Sequence, residues 1–285
     1  MLDDIRPRVG IIGLGIIGSR VAAHLRAAGF SVPVWNRTPM PEPDFLGSPA
    51  DVAVASDIIQ LFVADPQAVF EVLAAMAPVL TARHIIVCSS TIGRPAVLQA
   101  AKLVQACGSR FLDAPFTGTK GAAEKGQLVY YIGGDEATYQ AARPILEVPS
   151  KAIVQIGAIG QAALVKVLTN VIGAANIEVL IETLAVLKAE GIDPQIMVKA
   201  LEHHGVRSGM TDLKLPKLLS GDYETHFSLK HMLKDVQFGL DMGADLQLDL
   251  PVTQATAEAL RQGMSAGWAD LDFSVVMKRY DASHG

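Results

Sequence analysis

Residues 8–29 read RVGIIGLGIIGSRVAAHLRAAG, and their pattern decides the fold. A short apolar run, 8–12, ends at Gly13, and the residues after it are amphipathic at helical spacing until Gly29 stops them. Strand, glycine turn and helix therefore come in that order. At the junction, Gly13-Leu14-Gly15-Ile16-Ile17-Gly18 is G-x-G-x-x-G. The first glycine permits the tight turn, the second lets backbone approach a pyrophosphate, and the third allows close helix–strand packing. The helix start presents its N–H groups and the positive end of its dipole to the phosphates. Taken alone the motif is weak. A second strand at 31–35 (SVPVW) gives it the context a dinucleotide site needs.

That strand is followed by Asn36-Arg37-Thr38, where an NAD site usually carries a carboxylate for the ribose 2′-hydroxyl. No carboxylate is present to repel a 2′-phosphate, and Arg37 is suited to pair with one, so NADP(H) is the expected cofactor. Further strands are expected at 58–63 (IIQLFV), 84–88, 110–114, 127–132 and 152–156, with helices over 66–77, 95–106 and 136–146 between them. The alternation predicts an α/β, Rossmann-type doubly wound sheet of parallel βαβ units.

After Ile156 the strand signals stop. Helices are expected at about 158–189, 193–203, 209–219, 228–243, 251–266 and 270–280, punctuated by Pro194, Pro216 and Pro251. The chain thus divides into a dinucleotide-binding domain, 1–156, and an all-α C-terminal domain, 157–285, built on a long interdomain helix. Between Ala152 and Leu187 the only formal charges are Lys166, Glu178 and Glu182, which predicts a helix buried on most of its faces. Lys166 and Asn170 are one turn apart and project from one side. On these residues alone, Lys166 is either a lysine snorkelling at the rim of a core helix or a lysine put to use.

Bulk composition narrows the class. Of 285 residues, 50% are apolar and 19% charged, as in ordinary globular chains. Net charge is −5 with no run of Lys or Arg, so neither nucleic acid nor a membrane surface is an expected partner. The N-terminal Asp3, Asp4 and Arg6 make no secretory segment, and Lys166 and Glu178 interrupt the long helix too early for a membrane span. Cys88 and Cys107 lack metal-ligand spacing and suit a reduced cytoplasm. His203 and His204 have no accompanying ligand set, so no metal site is expected.

Three further motifs carry a resemblance. Asp113-Ala114-Pro115-Phe116-Thr117-Gly118-Thr119-Lys120 resembles the D-A-P-V-S-G signature of the β-hydroxyacid dehydrogenase family, the 3-hydroxyisobutyrate dehydrogenase-like enzymes. Gly160 through Lys166, with Asn170, is similar to its G-x-x-x-x-x-K-x-x-x-N helix, and Lys234-Asp235 after Phe227 to its C-terminal K-D motif. Thr117-Gly118-Thr119-Lys120 followed by Ala123-Glu124 and Gly126-Gln127-Leu128 looks like the glyoxylate and succinic semialdehyde reductase branch.

The resemblance implies NADPH-dependent reduction of small aldehyde-acids to hydroxyacids. Lys166 is the implied proton donor and Asn170 the residue that orients the substrate. Desolvation on its apolar helix is expected to lower the lysine's pKa toward neutrality. The Thr117-Gly118-Thr119 turn would offer backbone N–H groups and two hydroxyls to the substrate carboxylate. Val63, Thr91, Phe227 and Lys234 join Gly13–Gly18 and Asn36–Thr38 as expected cofactor contacts. Phe116 and Thr117 stand where Val and Ser are usual, and the aromatic ring is expected to reshape the pocket. Imine reductases share the architecture and often the Trp35–Thr38 stretch but generally lack the lysine. A non-catalytic NADP-binding protein is the remaining alternative. The family typically pairs through its helical domain, which implies a homodimer or larger assembly with its site in the cleft between domains. Glu178 and Glu182 are expected to meet partners across that subunit interface.

Overall fold

A computed structural model describes residues 6–281, so Asp3 and Asp4 lie outside the described residues. The chain divides between Lys166 and Val167 into two compact units.

The first unit runs β1 (Val9–Ile12), α1 (Gly18–Ala27), β2 (Val34–Trp35), α2 (Pro49–Ala55), β3 (Ile58–Leu61), α3 (Pro66–Met76), β4 (Ile85–Cys88) and α4 (Arg94–Ala106). It continues with β5 (Arg110–Asp113), β6 (Phe116–Thr117), α5 (Lys120–Glu124), β7 (Leu128–Gly133), α6 (Glu136–Glu147) and β8 (Ser150–Gly157). Strand order is β2-β1-β3-β4-β5-β7-β6, with β8 also paired to β7. The strands from β2 to β5 pair in parallel, and β1, β3 and β4 are buried along their whole length. Continuous apolar strands of this kind need cover on both faces. One face packs on Val21, Ala22 and Leu25 of α1 with Ala142 and Ile145 of α6. The other packs on Val69, Val72 and Leu73 of α3 with Val97, Ala100 and Val104 of α4. The sheet is therefore Rossmann-like and doubly wound.

One expectation fails on the far side of β5. There β7 pairs antiparallel with β5 and with β6, and only β8 returns parallel to β7. Between β5 and β7 the chain doubles back through β6 and the five-residue α5, with no full crossover helix to carry it to a parallel start.

The second unit is helical. The 29-residue α7 (Gln161–Ala189) enters it and is followed by α8 (Ile196–Leu201), α9 (Gly209–Ser220), α10 (Leu229–Asp245) and α11 (Pro251–Ser265). The last element, Phe273–Tyr280, is 3-10 where a helix over 270–280 is expected. Its core joins Ala174, Ile177, Ile181 and Leu184 of α7 to Leu215, Met232, Val236, Leu260 and Phe273.

The expectation that α7 is buried on most faces is wrong. Leu168, Ile172, Val179 and Val186 are 44–62% exposed. Nor do its charges rule out a span by composition: an eighteen-residue window of α7 has mean hydropathy 1.7, enough to cross a membrane by that measure, with a third of the window buried within the chain.

Candidate functional site

In the first unit the glycine loop is shaped from within. Gly13 has φ +97°, and a Cβ there would strike the Phe62 carbonyl. A Cβ on Gly18 would strike the Gly13 carbonyl, so the loop and α1 close on each other. Gly15 differs, because no atom lies within 4 Å of where its Cβ would be. Protein packing does not require a glycine there, whereas a pyrophosphate drawn close to the backbone does. Ile17 supplies no side-chain cap to α1, and its first turn holds no acidic residue. The start of α1 therefore suits an anion, and these residues fit a dinucleotide.

The neighbouring loop is braced to this one. Asn36 Oδ1 accepts from Leu14 N (3.1 Å), and its Nδ2 donates to Thr38 O (2.9 Å). Both ends of the Asn36 amide thus hold backbone in place, leaving Arg37 and Thr38 exposed beside it. At the ends of β3 and β4, Val63 N donates to Ser90 Oγ (2.8 Å), and half-buried Thr91 follows. Ser90 is a stitch between strand ends to which the sequence pattern assigns no role.

The Thr117-Gly118-Thr119 turn leaves β6 with Gly118 at φ +144°. Thr119 Oγ accepts from Ala122 N (3.3 Å) and caps α5. Its oxygen is thus engaged, while its hydroxyl proton remains to be donated. Phe116 pairs across from buried Tyr130, and its ring packs 5.8 Å from Phe62 and 6.2 Å from Tyr130, centroid to centroid. The ring expected to reshape a pocket is half-buried and belongs to the layer under α1. Beneath it, Gln60 Nε2 donates to Ser89 Oγ (2.9 Å) and Tyr130 OH (3.2 Å).

Asp113 is 1% exposed, and its Oδ2 accepts from Gly160 N (2.9 Å) and Ala163 N (3.0 Å) at the start of α7. Burial outweighs these hydrogen bonds and pushes its carboxyl up to about 6. Burial, and then the nearby Asp113, push the Cys88 thiol up to about 12, which leaves it unreactive. Lys166, one turn of α7 beyond Ala163, is 8% exposed.

In the second unit Asn170 Nδ2 donates to Asp235 Oδ2 (2.6 Å), and Lys234 Nζ lies 3.1 Å from Asp235 Oδ1. Lys234 also sits 5.1 Å above the Phe238 ring. Asp235, 1% exposed, fixes which way the Asn170 amide points. The K-D motif contains Asp235, but its spacing alone gives that carboxylate no role. Phe227 is edge-on to Phe273 (6.4 Å), and its N–H donates to Asp272 Oδ2 (3.1 Å). Asp272 receives Lys214 Nζ at 2.6 and 2.7 Å, both residues being buried. Glu178, expected to meet a partner across a subunit interface, pairs with Arg279 of the same chain. His203 and His204 are exposed, and His204 Nδ1 accepts from Val206 N.

Residues 8–157 match the family described as the NAD binding domain of 6-phosphogluconate dehydrogenase. Residues 160–280 match the NAD-binding family of NADP-dependent 3-hydroxyisobutyrate dehydrogenase. Among curated proteins, glyoxylate/succinic semialdehyde reductase 1 of Arabidopsis thaliana is 30% identical over 285 residues, covering 95% of this chain and 97% of that one. The structure of 3-hydroxyisobutyrate dehydrogenase of Mycobacterium tuberculosis with L-serine superposes with a TM-score of 0.88 at 23% identity, over 98% of this chain and 100% of that one. An imine reductase of Myxococcus stipitatus, with NAD+, reaches 0.65 at 20% identity over 97% and 99%.

Proposed function

The chain belongs to the β-hydroxyacid dehydrogenase family of NAD(P)-binding oxidoreductases, and from that premise we propose that it is an NADPH-dependent reductase of small aldehyde-acids of the glyoxylate or succinic semialdehyde type. The observation that carries this reading is Lys166, 8% exposed on α7, followed one turn later by an asparagine whose amide Asp235 holds in one orientation.

When bound, the reduced nicotinamide supplies a hydride for the aldehyde carbon. Lys166 holds a proton at Nζ for the alkoxide that develops, and it accepts that proton in the reverse direction. Asp235 fixes the Asn170 amide, and the fixed amide orients the substrate carbonyl for attack. Thr117, Gly118 and Thr119 hold the substrate carboxylate with N–H groups and hydroxyl protons. Gly13–Gly18 receive the pyrophosphate, and Asn36, Arg37 and Thr38 form the 2′-phosphate side. Val63, Thr91, Phe227 and Lys234 complete the cofactor contacts.

The exposed residues of α7 favour a second copy of the chain as partner, because Leu168, Ile172, Val179 and Val186 recur at steps of four and seven along one stripe. Sedimentation of Ile172→Asp checks this, with monomer expected where the wild type is dimer or larger. The reading carries with it a cytoplasmic location and no nucleic-acid or membrane partner.

The deciding experiment follows oxidation of NADPH and of NADH with glyoxylate, succinic semialdehyde and a cyclic imine. Turnover of the aldehyde-acids with NADPH is expected. Turnover of the imine alone would replace this reading with an imine reductase, and tight NADPH binding with no turnover of any carbonyl or imine would make the chain a non-catalytic binder.

A further inference from the structure

We propose that Arg20 is a positioning residue that couples the glycine loop to the carboxylate turn, so that cofactor and acid substrate each tighten the other's binding. The coupling rests on the aldehyde-acid reading for what the turn binds.

Arg20 lies in the first turn of α1, two residues beyond Gly18. Its Nη1 donates to Ile16 O (2.6 Å), a carbonyl inside the glycine loop. Its Nε and Nη2 donate to Glu124 Oε1 at 3.2 and 2.8 Å. One turn along the same helix, His24 Nε2 lies 2.9 Å from Ala123 O and 3.1 Å from Glu124 O. Two side chains of α1 therefore grip the C-terminal end of α5. The other end of α5 is capped by Thr119, the last residue of the carboxylate turn. A single guanidinium thus touches the loop that receives pyrophosphate and the five-residue helix whose start forms that turn.

Such a link has a direction that can be worked out. A pyrophosphate on the α1 N-terminus fixes the loop and with it the Ile16 carbonyl. That pre-orders Arg20, and Arg20 pre-orders α5 and the turn, which lowers the ordering cost left for the carboxylate. By linkage the carboxylate must raise cofactor affinity by the same factor. The Arg20 and Glu124 side chains are 25% and 49% exposed, so solvent screens the pair and the factor is small, about three- to fivefold.

The test titrates NADPH fluorescence on the full chain with and without saturating glycolate or 4-hydroxybutyrate, hydroxyacids that cannot be reduced further. In the wild type the hydroxyacid is expected to tighten NADPH about three- to fivefold. Arg20→Met and Glu124→Gln should each reduce that linkage to near unity, and the double variant should lose no more than either alone. Arg20→Lys keeps the charge but cannot span both partners, so it should show intermediate linkage while guarding against a folding defect in Arg20→Met. In turnover, the same variants should raise KM for the aldehyde-acid and leave kcat within about twofold. Turnover without linkage, linkage that survives Arg20→Met, or additive losses in the double variant each overturn the clamp alone. Neither turnover nor linkage in the wild type overturns the clamp and the functional reading together.

Discussion

Asp113 in the α/β unit and Asp272 in the helical unit are both buried carboxylates, 1% and 0% exposed, and they are held in opposite ways. Asp113 is met by backbone N–H groups of Gly160 and Ala163, and burial raises its carboxyl to about 6. Burial pushes Asp272 up as well, but Lys214, then the Ser274 hydroxyl and the Phe227 N–H, outweigh it and hold the carboxyl below its usual range. The contrast concerns buried charge. The α/β unit meets buried Asp113 with backbone at the start of α7, while its side-chain pairs, such as Arg8–Asp57 and Arg20–Glu124, lie where solvent reaches them. The helical unit sets side chain against side chain, as in Lys214–Asp272, Arg279–Glu178 and Lys234–Asp235. Backbone donors come with the fold and tolerate many side chains. A buried charge pair fails if either member changes.

The largest expected effect separates cofactor binding from proton transfer. If backbone holds the pyrophosphate, removing the buried lysine should leave that grip intact. Lys166→Ala is expected to lower kcat by roughly 10²–10⁴-fold. Its NADPH affinity should stay within about twofold by fluorescence titration. Full activity in this variant would sink the mechanism, and lost NADPH binding would break the division of labour.

Next comes the pair that the helical unit cannot lose by halves. Lys214→Met strands Asp272 without its cation and should cost about 3–5 kcal/mol in urea denaturation. Adding Asp272→Asn should recover part of this, since an amide oxygen in the Oδ2 position can still accept from His226 N and Phe227 N, while the amide NH2 is left facing Ser274 N. A single-variant cost below about 1 kcal/mol, the level of a surface pair, would erase the contrast with the α/β unit.

The two carboxylates also predict opposite pH dependence. The folded pKa of Asp272 is depressed, so its contribution is present above the unfolded value and is lost as pH falls through the folded one. Asp113 is raised from 3.8 to about 6, so its contribution is present below 3.8 and is lost as pH rises through about 6. That amounts to about 3 kcal/mol between those limits. Asp113→Asn should therefore flatten the stability profile between about pH 4 and pH 6. An unchanged slope there would mean that Asp113 is not the titrating group.

The same contrast explains what was legible in the sequence. Strands β1 to β5 and helices α1, α3 and α4 follow from apolar period and glycine position, because the burial of each residue repeats locally. Helix α2 was missed although Ser48 caps it, accepting from Asp51 N, with Pro49 next: the signal is a seven-residue cap pattern, too short to show a period. The antiparallel β7 meets β5 at one residue pair, Asp113 with Gly133, and no alternation marks that reversal. Lys166, Asn170 and the turn at Thr117–Thr119 were legible as candidates through motifs. The roles of Asp113 and Asp235 were not, since their partners lie 47 and 65 residues away and only folding brings them together. Phe116 packs against Phe62 and Tyr130 through the pairing of β6 with β7, a contact that its sequence neighbours do not announce.

The smallest expected effect falls where the α/β unit departs from its own rule. A 2′-phosphate at the end of β2 would meet Arg37, a side-chain cation on an exposed loop, and no helix start. Exposure means that solvent already screens this charge, so the contact is worth little more than one charge-assisted hydrogen bond. Arg37→Ala should raise the apparent KM for NADPH about tenfold, a change of about 1.4 kcal/mol, and leave that for NADH nearly unchanged. The Asn36 brace to Leu14 N and Thr38 O does not involve Arg37, so the glycine loop keeps its shape in the variant. Loss of the two cofactors in equal measure would mean that Arg37 supports the loop and does not read the phosphate, and would remove the basis for expecting NADPH over NADH.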